Sequence, residues 1–422
     1  MINPAGIKIR YVLRPREVTD RTHLQVLSVY RDFGVIPKSS RGDNNNKTPL
    51  DLSRYQEVRP GDLVINKMKA WQGSLGVSRH HGIVSPDYLV CSIDRSVHPG
   101  FLHHLLRSGP LISEFGRRSK GIRPAQWRLY WEDLAEISIP LPPVGDQRRI
   151  AEFLDTETAR IDRLVSVREK QTEALAERYM TAVSEMVTPG ISRDGERSQL
   201  WPWLPLAVPT VRLGYLARVQ TGVTVHGARE GTGEDVEHPY LRVANVQGEQ
   251  IDLDEVKTII VPASMARRSS LRDGDVVMTE ANGNPDNLGR GAVWRDQIPG
   301  MIHQNHIFAI RASRGRLLPE YLAALLASKH GRYYFRYTGS QVGIATTSAS
   351  KVLDFPIPIA SREQQDAVVR DYVAMRDSAS RVKGVLERQL LLLAERRRAL
   401  IAAAVTGQLD VTTARPTHDR DL

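Results

Sequence analysis

A single cysteine, Cys91, is the only thiol among 422 residues, which excludes an internal disulfide and points to a reducing compartment. No uninterrupted apolar stretch reaches the roughly 18 to 20 residues that a membrane-spanning helix requires. The opening Met1-Ile2-Asn3-Pro4-Ala5 lacks the charged-then-apolar pattern of a secretory leader. We therefore expect a cytoplasmic protein with no membrane association. The chain is too long for one hydrophobic core and suits two or three domains.

Acidic residues are scarce where basic ones crowd. Residues 1–145 carry 21 Lys and Arg against 13 Asp and Glu, a net of +8 within a total of +10. Arg107, Arg117, Arg118, Lys120, Arg123 and Arg128 stand in one stretch with Glu114 as its only acid. Such an excess suits phosphate binding, because each neutralised phosphate releases condensed counterions; a solvated basic face is the plain alternative.

What the chain does have is a repeat. Gln147 to Thr188 align without a gap to Gln365 to Thr406, with Leu-Ala-Glu-Arg recurring at Leu175–Arg178 and Leu393–Arg396 and Val-Thr at Val187-Thr188 and Val405-Thr406. A proline-punctuated strand leads into each copy, Ile139-Pro-Leu-Pro-Pro143 and Phe355-Pro-Ile-Pro-Ile359. An internal repeat governs the whole architecture: two similar globular modules, each followed by a rod.

The rods carry heptads. Tyr372, Ala379, Leu386, Leu393 and Leu400 recur every seven residues, with Met375 and Val382 interleaved; Leu154, Ile161, Leu175 and Ala182 hold the same register in the first copy, with Arg168 at one seam position. A helix over either copy would be roughly 60 Å long and needs a partner along its length. The nearest partner is the other copy, and a pseudo-two-fold makes the pair antiparallel. These seam residues are core, not ligand sites.

The modules echo each other more faintly. Gly61-Asp62-Leu63-Val64 resembles Gly274-Asp275-Val276-Val277, Leu75–Ser78 resembles Arg290–Val293, Phe101–Leu106 resembles Tyr321–Leu326, and Gly121-Ile122 matches Gly343-Ile344. Short β-type runs bounded by Gly, Asp and Pro predict mixed modules around a curved sheet. The expected fold is α+β: a first module over 1–145, a long helix over 146–188, a linker over 189–210, a second module over 211–361, a second long helix over 362–406 and a disordered tail over 407–422. Pro189-Gly190 ends the first rod, and Trp201-Pro-Trp203-Leu-Pro205 stiffens the linker.

This arrangement resembles the specificity (S) subunits of type I restriction-modification systems, along essentially the whole chain. The resemblance is carried by Gly61–Gly73 and Gly82–Tyr88 in the first module. In the second it is carried by Tyr240–Val246, His303-Gln-Asn-His306 and the segment Ser340–Ile359, and twice by the Pro-rich strand leading into a Gln-bearing long helix. It implies target-recognition modules that bind double-stranded DNA and assemble with two methyltransferase (modification) subunits and with restriction subunits that translocate and cut. It also implies that the chain has no catalysis and no cofactor of its own, S-adenosylmethionine and ATP with magnesium belonging to the partners.

The motif content agrees. Asn284-Pro285-Asp286-Asn287 lacks the second proline and the aromatic of an amino-methyltransferase loop, and no Gly-x4-Gly-Lys-Ser/Thr phosphate cradle is present. Pro86-Asp87 has no Glu-x-Lys at useful spacing. His80-His81 and His103-His104 are adjacent pairs whose side chains diverge, with no cysteine or acidic cluster to complete a tetrahedral set, so no metal is expected.

Base identity is read by forked side chains and phosphate by cations. The candidates in the first module are Asn66, Lys67, Lys69, Trp71, Gln72, Arg117, Arg118, Lys120 and Arg123. In the second they are Arg242, Asn245, Asn282, Asn284, Arg290, Gln304, Asn305, Arg332, Arg336, Gln341 and Lys351. For each the alternative is a solvated residue or an internal brace, above all for Asn245 and Asn305. The expected mechanism is a ruler: each module reads half of a split, asymmetric site, and the helix pair sets the spacer. Two alternatives are a non-DNA scaffold tethering two binding modules and the recognition fragment of a fused restriction-methylation enzyme.

Overall fold

The computed structural model describes residues 6–31, 33–42, 48–123, 126–225, 235–340 and 344–411. Gln341 and the closing Thr412–Leu422 lie outside the described residues. The chain divides into two compact units, Met1–Glu169 with Glu387–Leu422, and Lys170–Leu386.

The first unit is built on an antiparallel sheet of β1 (Leu13–Pro15), β2 (Leu63–Asn66), β3 (Leu75–Val77) and β4 (Tyr88–Ile93) in the order β1-β4-β2-β3. Helices α1 (Pro99–Leu106), α2 (Gly109–Arg118) and α3 (Trp131–Ala135) follow, and then α4 (Val144–Val187). The apolar Val/Ile/Leu runs of the strands explain their burial: Leu63, Val64 and Val90 have no exposed surface. Ile7–Lys8 pairs with Ser138–Ile139, and the prolines of the lead, Pro140, Pro142 and Pro143, follow that strand without joining it.

The second unit repeats this order in β5 (Ala217–Thr221), β6 (Asp275–Thr279), β7 (Gly291–Val293) and β8 (Ile307–Ala312), arranged β5-β8-β6-β7. Its helices are α5 (Ala263–Ser269), α6 (Pro319–Ala327), α7 (Lys329–Thr338), α8 (Ala349–Leu353) and the first part, to Leu386, of α9 (Arg362–Thr406). The strand Asp235–Leu241 pairs with Lys257–Pro262 and, in parallel, with Ile302–His303; in the first unit Leu27–Tyr30 pairs with Gly34–Pro37, and the adjoining Val26 bridges Ile83 in parallel. Thr210–Arg212 pairs with the second Pro-rich strand, Pro356–Pro358.

The Gly-Asp repeat is a turn entering β2 and β6. Gly61 and Gly274 take φ of 93° and 87°, a region costly for other residues. The carboxylates of Asp62 and Asp275 accept from the backbone N–H of Arg59 (2.8 Å) and Arg272 (2.9 Å). Arg16 pairs with Asp62, and Arg311 with Asp275, so different strands supply the same counter-charge.

The long helices run antiparallel. In the first unit Ile150 and Leu154 of α4 share a core with Ile401, Ala404 and Val405 of α9, and Arg397 Nε donates to Asp162 at 3.1 Å. In the second, Val183 and Val187 of α4 share a core with Tyr372, Val368 and Val369 of α9. The expected seam positions are unevenly covered. Leu154, Ile161, Tyr372 and Leu386 are buried, whereas Leu175, Ala182, Ala379, Leu393 and Leu400 are half-buried. Near the end of α4 the buried positions are Val183 and Val187, one residue past the expected Ala182 track, because a 3.6-residue helix drifts against a 3.5-residue repeat. Interleaved Val382 is exposed, at 45%.

One buried glutamine per unit binds module to rod. Gln147 Oε1 accepts from the N–H of His98, the N-cap of α1, at 2.7 Å, while Nε2 donates to the carbonyls of Pro142 (2.8 Å) and Ser96 (3.3 Å). Gln365 does the same for α6: Oε1 accepts from Leu318 N–H at 2.9 Å, and Nε2 donates to Arg316 and Ala360, both at 3.1 Å. Sequence alignment placed these residues in register without revealing that use.

Candidate nucleic-acid interface

In the first module three segments converge at the end of β2. The chain leaves Asn66, whose Oδ1 accepts from Met68 N–H at 3.1 Å, and turns through Ala70–Gln72, closed by Gly73 at φ 86°. Trp71 Nε1 donates to Met68 O at 3.0 Å, and its ring meets Trp127 edge-on at 5.4 Å. Helix α2 packs on this turn. The stretch after α2 doubles back, with Lys120 and Arg128 exchanging backbone hydrogen bonds of 3.0 and 2.9 Å, and Leu129 N–H donating to Lys67 O at 2.9 Å. This docking brings Asn66, Lys67, Lys69, Trp71 and Gln72 together with Arg117, Arg118, Lys120 and Arg123.

Their charges are partly used. Arg117 and Arg118 both pair with Glu114, Lys120 Nζ lies 2.7 Å from Asp133, and Arg128 lies 3.0 Å from Asp87. Arg117 and Lys120 nevertheless keep 75% and 69% of their side chains exposed. Lys69, Gln72 and Arg123 are exposed as well. Lys67 departs from expectation: its Nζ donates inward to Pro86 O at 2.9 Å, which spends the ammonium on bracing the loop.

The second module repeats the plan with different residues. After β6, Asn282 Oδ1 accepts from Asn284 N–H at 2.9 Å, the same arrangement as at Asn66. Ala281–Asn282 pairs with Ala345–Thr346, and α7 packs on the turn Pro285–Asn287. Arg290 donates to Asn287 Oδ1, and burial together with the neighbouring Arg332 holds its pKa below the ordinary arginine value. Arg336 projects from α7 beside Trp203, Tyr333 and Tyr337. Gln304 is half-buried; its N–H donates to Leu241 O at 2.9 Å, and that of Asn305 to Val223 O at 2.8 Å.

Three second-module candidates are drawn inward. Asn245 is 4% exposed; its Oδ1 accepts from Arg242 N–H at 2.9 Å and its Nδ2 donates to Asp252 O and Glu255 O at 2.9 and 3.0 Å, so it braces a loop. Arg242 is tied to Glu255, through its carbonyl at 3.2 Å and its carboxylate at 3.3 Å. Lys351 donates to Thr338 O at the end of α7. These are corrections to the expected surface, with one cause: polar groups half-removed from water find backbone partners.

The structure also adds contacts that the sequence did not signal. Tyr179 of α4 and Tyr372 of α9 both donate to one oxygen of Glu249, Tyr372 at 3.0 Å, and burial first, then the Glu249 charge, pushes both phenol pKa values up. The linker is packed: Trp201 and Trp203 lie against Tyr333, Tyr334 and Tyr337, and Trp203 Nε1 donates to His330 Nδ1 at 3.0 Å. The rings of His103 and His104 meet edge-on at 5.6 Å but take different partners. His103 Nδ1 accepts from Val77 N–H at 3.2 Å, and His104 pairs with Asp155 at 2.8 Å. No group of three or more His, Cys, Asp or Glu suited to a metal is found among the described residues. No helix there is long and apolar enough to cross a membrane.

Each compact unit thus holds a mixed α/β module with the same strand order, followed by a long helix. No family model matches the chain. It is 24% identical over 387 residues to the type I restriction enzyme EcoKI specificity subunit of Escherichia coli (strain K12), covering 85% of this chain and 77% of that one. It is 21% identical over 377 residues to the StySPI specificity subunit of Salmonella potsdam, with the same coverage. A solved chain from work on complex assembly and conformational transition of the type I R-M system matches with a TM-score of 0.69 at 16% identity, over 97% of this chain and 100% of the other. The resemblance read from the sequence is thereby borne out: the curated relatives are named type I restriction enzyme specificity subunits, and the fold is that of a solved chain from a type I R-M system.

Proposed function

We propose that the chain is the non-catalytic DNA-reading subunit of a type I restriction-modification complex, recognising a split, asymmetric site and docking modification and restriction subunits. The observation that carries this reading is the repetition of one strand order with unlike side chains at the equivalent rim. Lys69, Gln72, Arg117, Lys120 and Arg123 stand in one module, and Arg290, Gln304, Arg332 and Arg336 in the other. Equivalent scaffolds with different rims suit two different half-sites. In this reading forked side chains meet base edges and the exposed cations meet phosphates. Gln341 keeps its candidacy from the sequence alone. S-adenosylmethionine, ATP and magnesium belong to the partners, and so does flipping of the target base.

The antiparallel helices serve as the ruler. Removing one heptad from each shortens a helix by about 10 Å at ~1.5 Å per residue, equivalent to about three base pairs at ~3.4 Å each. Methylation-sensitive sequencing of DNA from a host expressing the chain with its methyltransferase partner tests this directly. The wild type should mark one split motif, and the double heptad deletion should keep both half-sites with a shorter spacer. Altered half-sites, or methyl transfer by the isolated chain, would refute the reading. The scaffold alternative predicts binding that is insensitive to salt.

A further inference from the structure

We infer that Ile122, and at the equivalent place Ile344, is an apolar finger by which each module touches the base pairs of its DNA. The inference rests on the DNA-reading function proposed above and deepens it. Ile122 is 96% exposed and Ile344 61% exposed. A lone exposed isoleucine means little on any protein surface. Here the same residue type stands exposed twice in a stretch closed by a short antiparallel bridge: Ile122 two residues after Lys120 of the Lys120–Arg128 bridge, and Ile344 two residues before Thr346 of the Ser340–Thr346 bridge. Each stretch leaves the helix that carries the module's candidate cations, α2 or α7, and leads into a short helix, α3 or α8.

The surroundings favour nucleic acid over a protein partner. Ile122 stands between Lys120 and Arg123, both exposed, with Arg117 on the preceding helix. Ile344 precedes Ala345, the strand partner of Asn282, and follows the helix bearing Arg336. An apolar protein surface would meet these cations unfavourably, whereas DNA offers phosphate on the rims of a groove and apolar matter inside it. That interior is the thymine methyl in the major groove, or the faces of a base step that a side chain can wedge apart. The cations would hold the rims while the isoleucine enters.

The test uses the purified full-length chain and the duplex it enriches from a randomised double-stranded pool. Affinity is measured by fluorescence anisotropy across a salt series. Ile122→Ala should weaken binding roughly 10- to 50-fold, the loss expected for removing most of a buried isoleucine side chain, with the slope of log affinity against log salt unchanged. Ile122→Met should recover most of that loss. Arg123→Ala should instead lower the slope by about one phosphate contact. Ile344→Ala should act through the other half-site, so changing bases in the first half-site leaves its effect intact. Since both residues are exposed, unchanged thermal unfolding establishes that the variants fold. Ile122→Ala binding within twofold of wild type, while Arg123→Ala keeps its salt effect, overturns the finger and leaves the DNA-reading function standing. A chain that enriches no duplex sinks both.

Discussion

Replacing Gln147 by alanine probes the joint between the first module and its rod, and its cost follows from the geometry. The side chain is 1% exposed and makes three hydrogen bonds to main-chain groups of His98, Pro142 and Ser96. A net contribution of about 1 kcal/mol per bond gives about 3 kcal/mol, and leaving three partly buried backbone groups unpaired takes it toward 5. At ~1.4 kcal/mol per decade, the smaller figure is about two orders of magnitude in the local opening equilibrium. Hydrogen exchange followed by mass spectrometry reads this without assuming that a chain of this size unfolds in one step. Protection of amides in α1 should fall by about 100-fold in Gln147→Ala while those in α6 hold, and Gln365→Ala should give the mirror result. A fall of less than about threefold, or an equal fall in both helices, would refute the assignment of these glutamines as module-to-rod braces.

Further predictions concern buried groups. Burial lowers the pKa of His330 to about 4, and its neutral form accepts from Trp203 through Nδ1 while Nε2–H donates to Pro356 O at 2.6 Å. With an unfolded value near 6.5, this stabilisation is complete above pH 6.5 and is lost as pH falls toward 4. His303, also lowered to about 4 by burial, adds a second proton in the same unit. Acid titration should therefore release the linker tryptophans, read as a fluorescence change, and His330→Gln should blunt it; a flat response from pH 6.5 to 4 would contradict the argument. Gly222→Ala would place a Cβ 2.1 Å from His303 O and should cost about 3 kcal/mol or more, by analogy with severe overpacking, seen as a lower midpoint in thermal unfolding. Glu249→Ala, which strips both tyrosines of their shared acceptor, should loosen exchange at residues 246–251 and broaden the spacer lengths marked by the complex. A single sharp spacer would argue against a positioning role.

Periodicity and repetition made the architecture legible. A seven-residue repeat over four turns of the pattern in Tyr372–Leu400, and its aligned copy, can be satisfied only by long paired helices, and helix packing depends on residue type at fixed spacing. The strand order was not legible, because pairing of Leu63–Asn66 with Tyr88–Ile93 depends on contacts that no local pattern encodes. The candidate interface was half legible. Charge density picked out Arg117, Lys120 and Arg123, and the structure brings them beside the loop of Asn66 and Trp71. Composition cannot tell a solvated lysine from one folded back on a carbonyl, so Lys67 and Lys351 were placed with the surface although their ammonium groups turn inward. Glu249 carries no local signal, because its two tyrosine partners lie 70 and 123 residues away.

The sharing of Ile150 and Leu154 with Ile401, Ala404 and Val405 in one core has a consequence for biosynthesis. Most of the first module is synthesised roughly 250 residues before the segment that seals its core. A product that stops short of residue 400 would leave that module open and sticky, fit for chaperones and proteases. Closure of the first module therefore waits on synthesis of the segment Ile401–Val405.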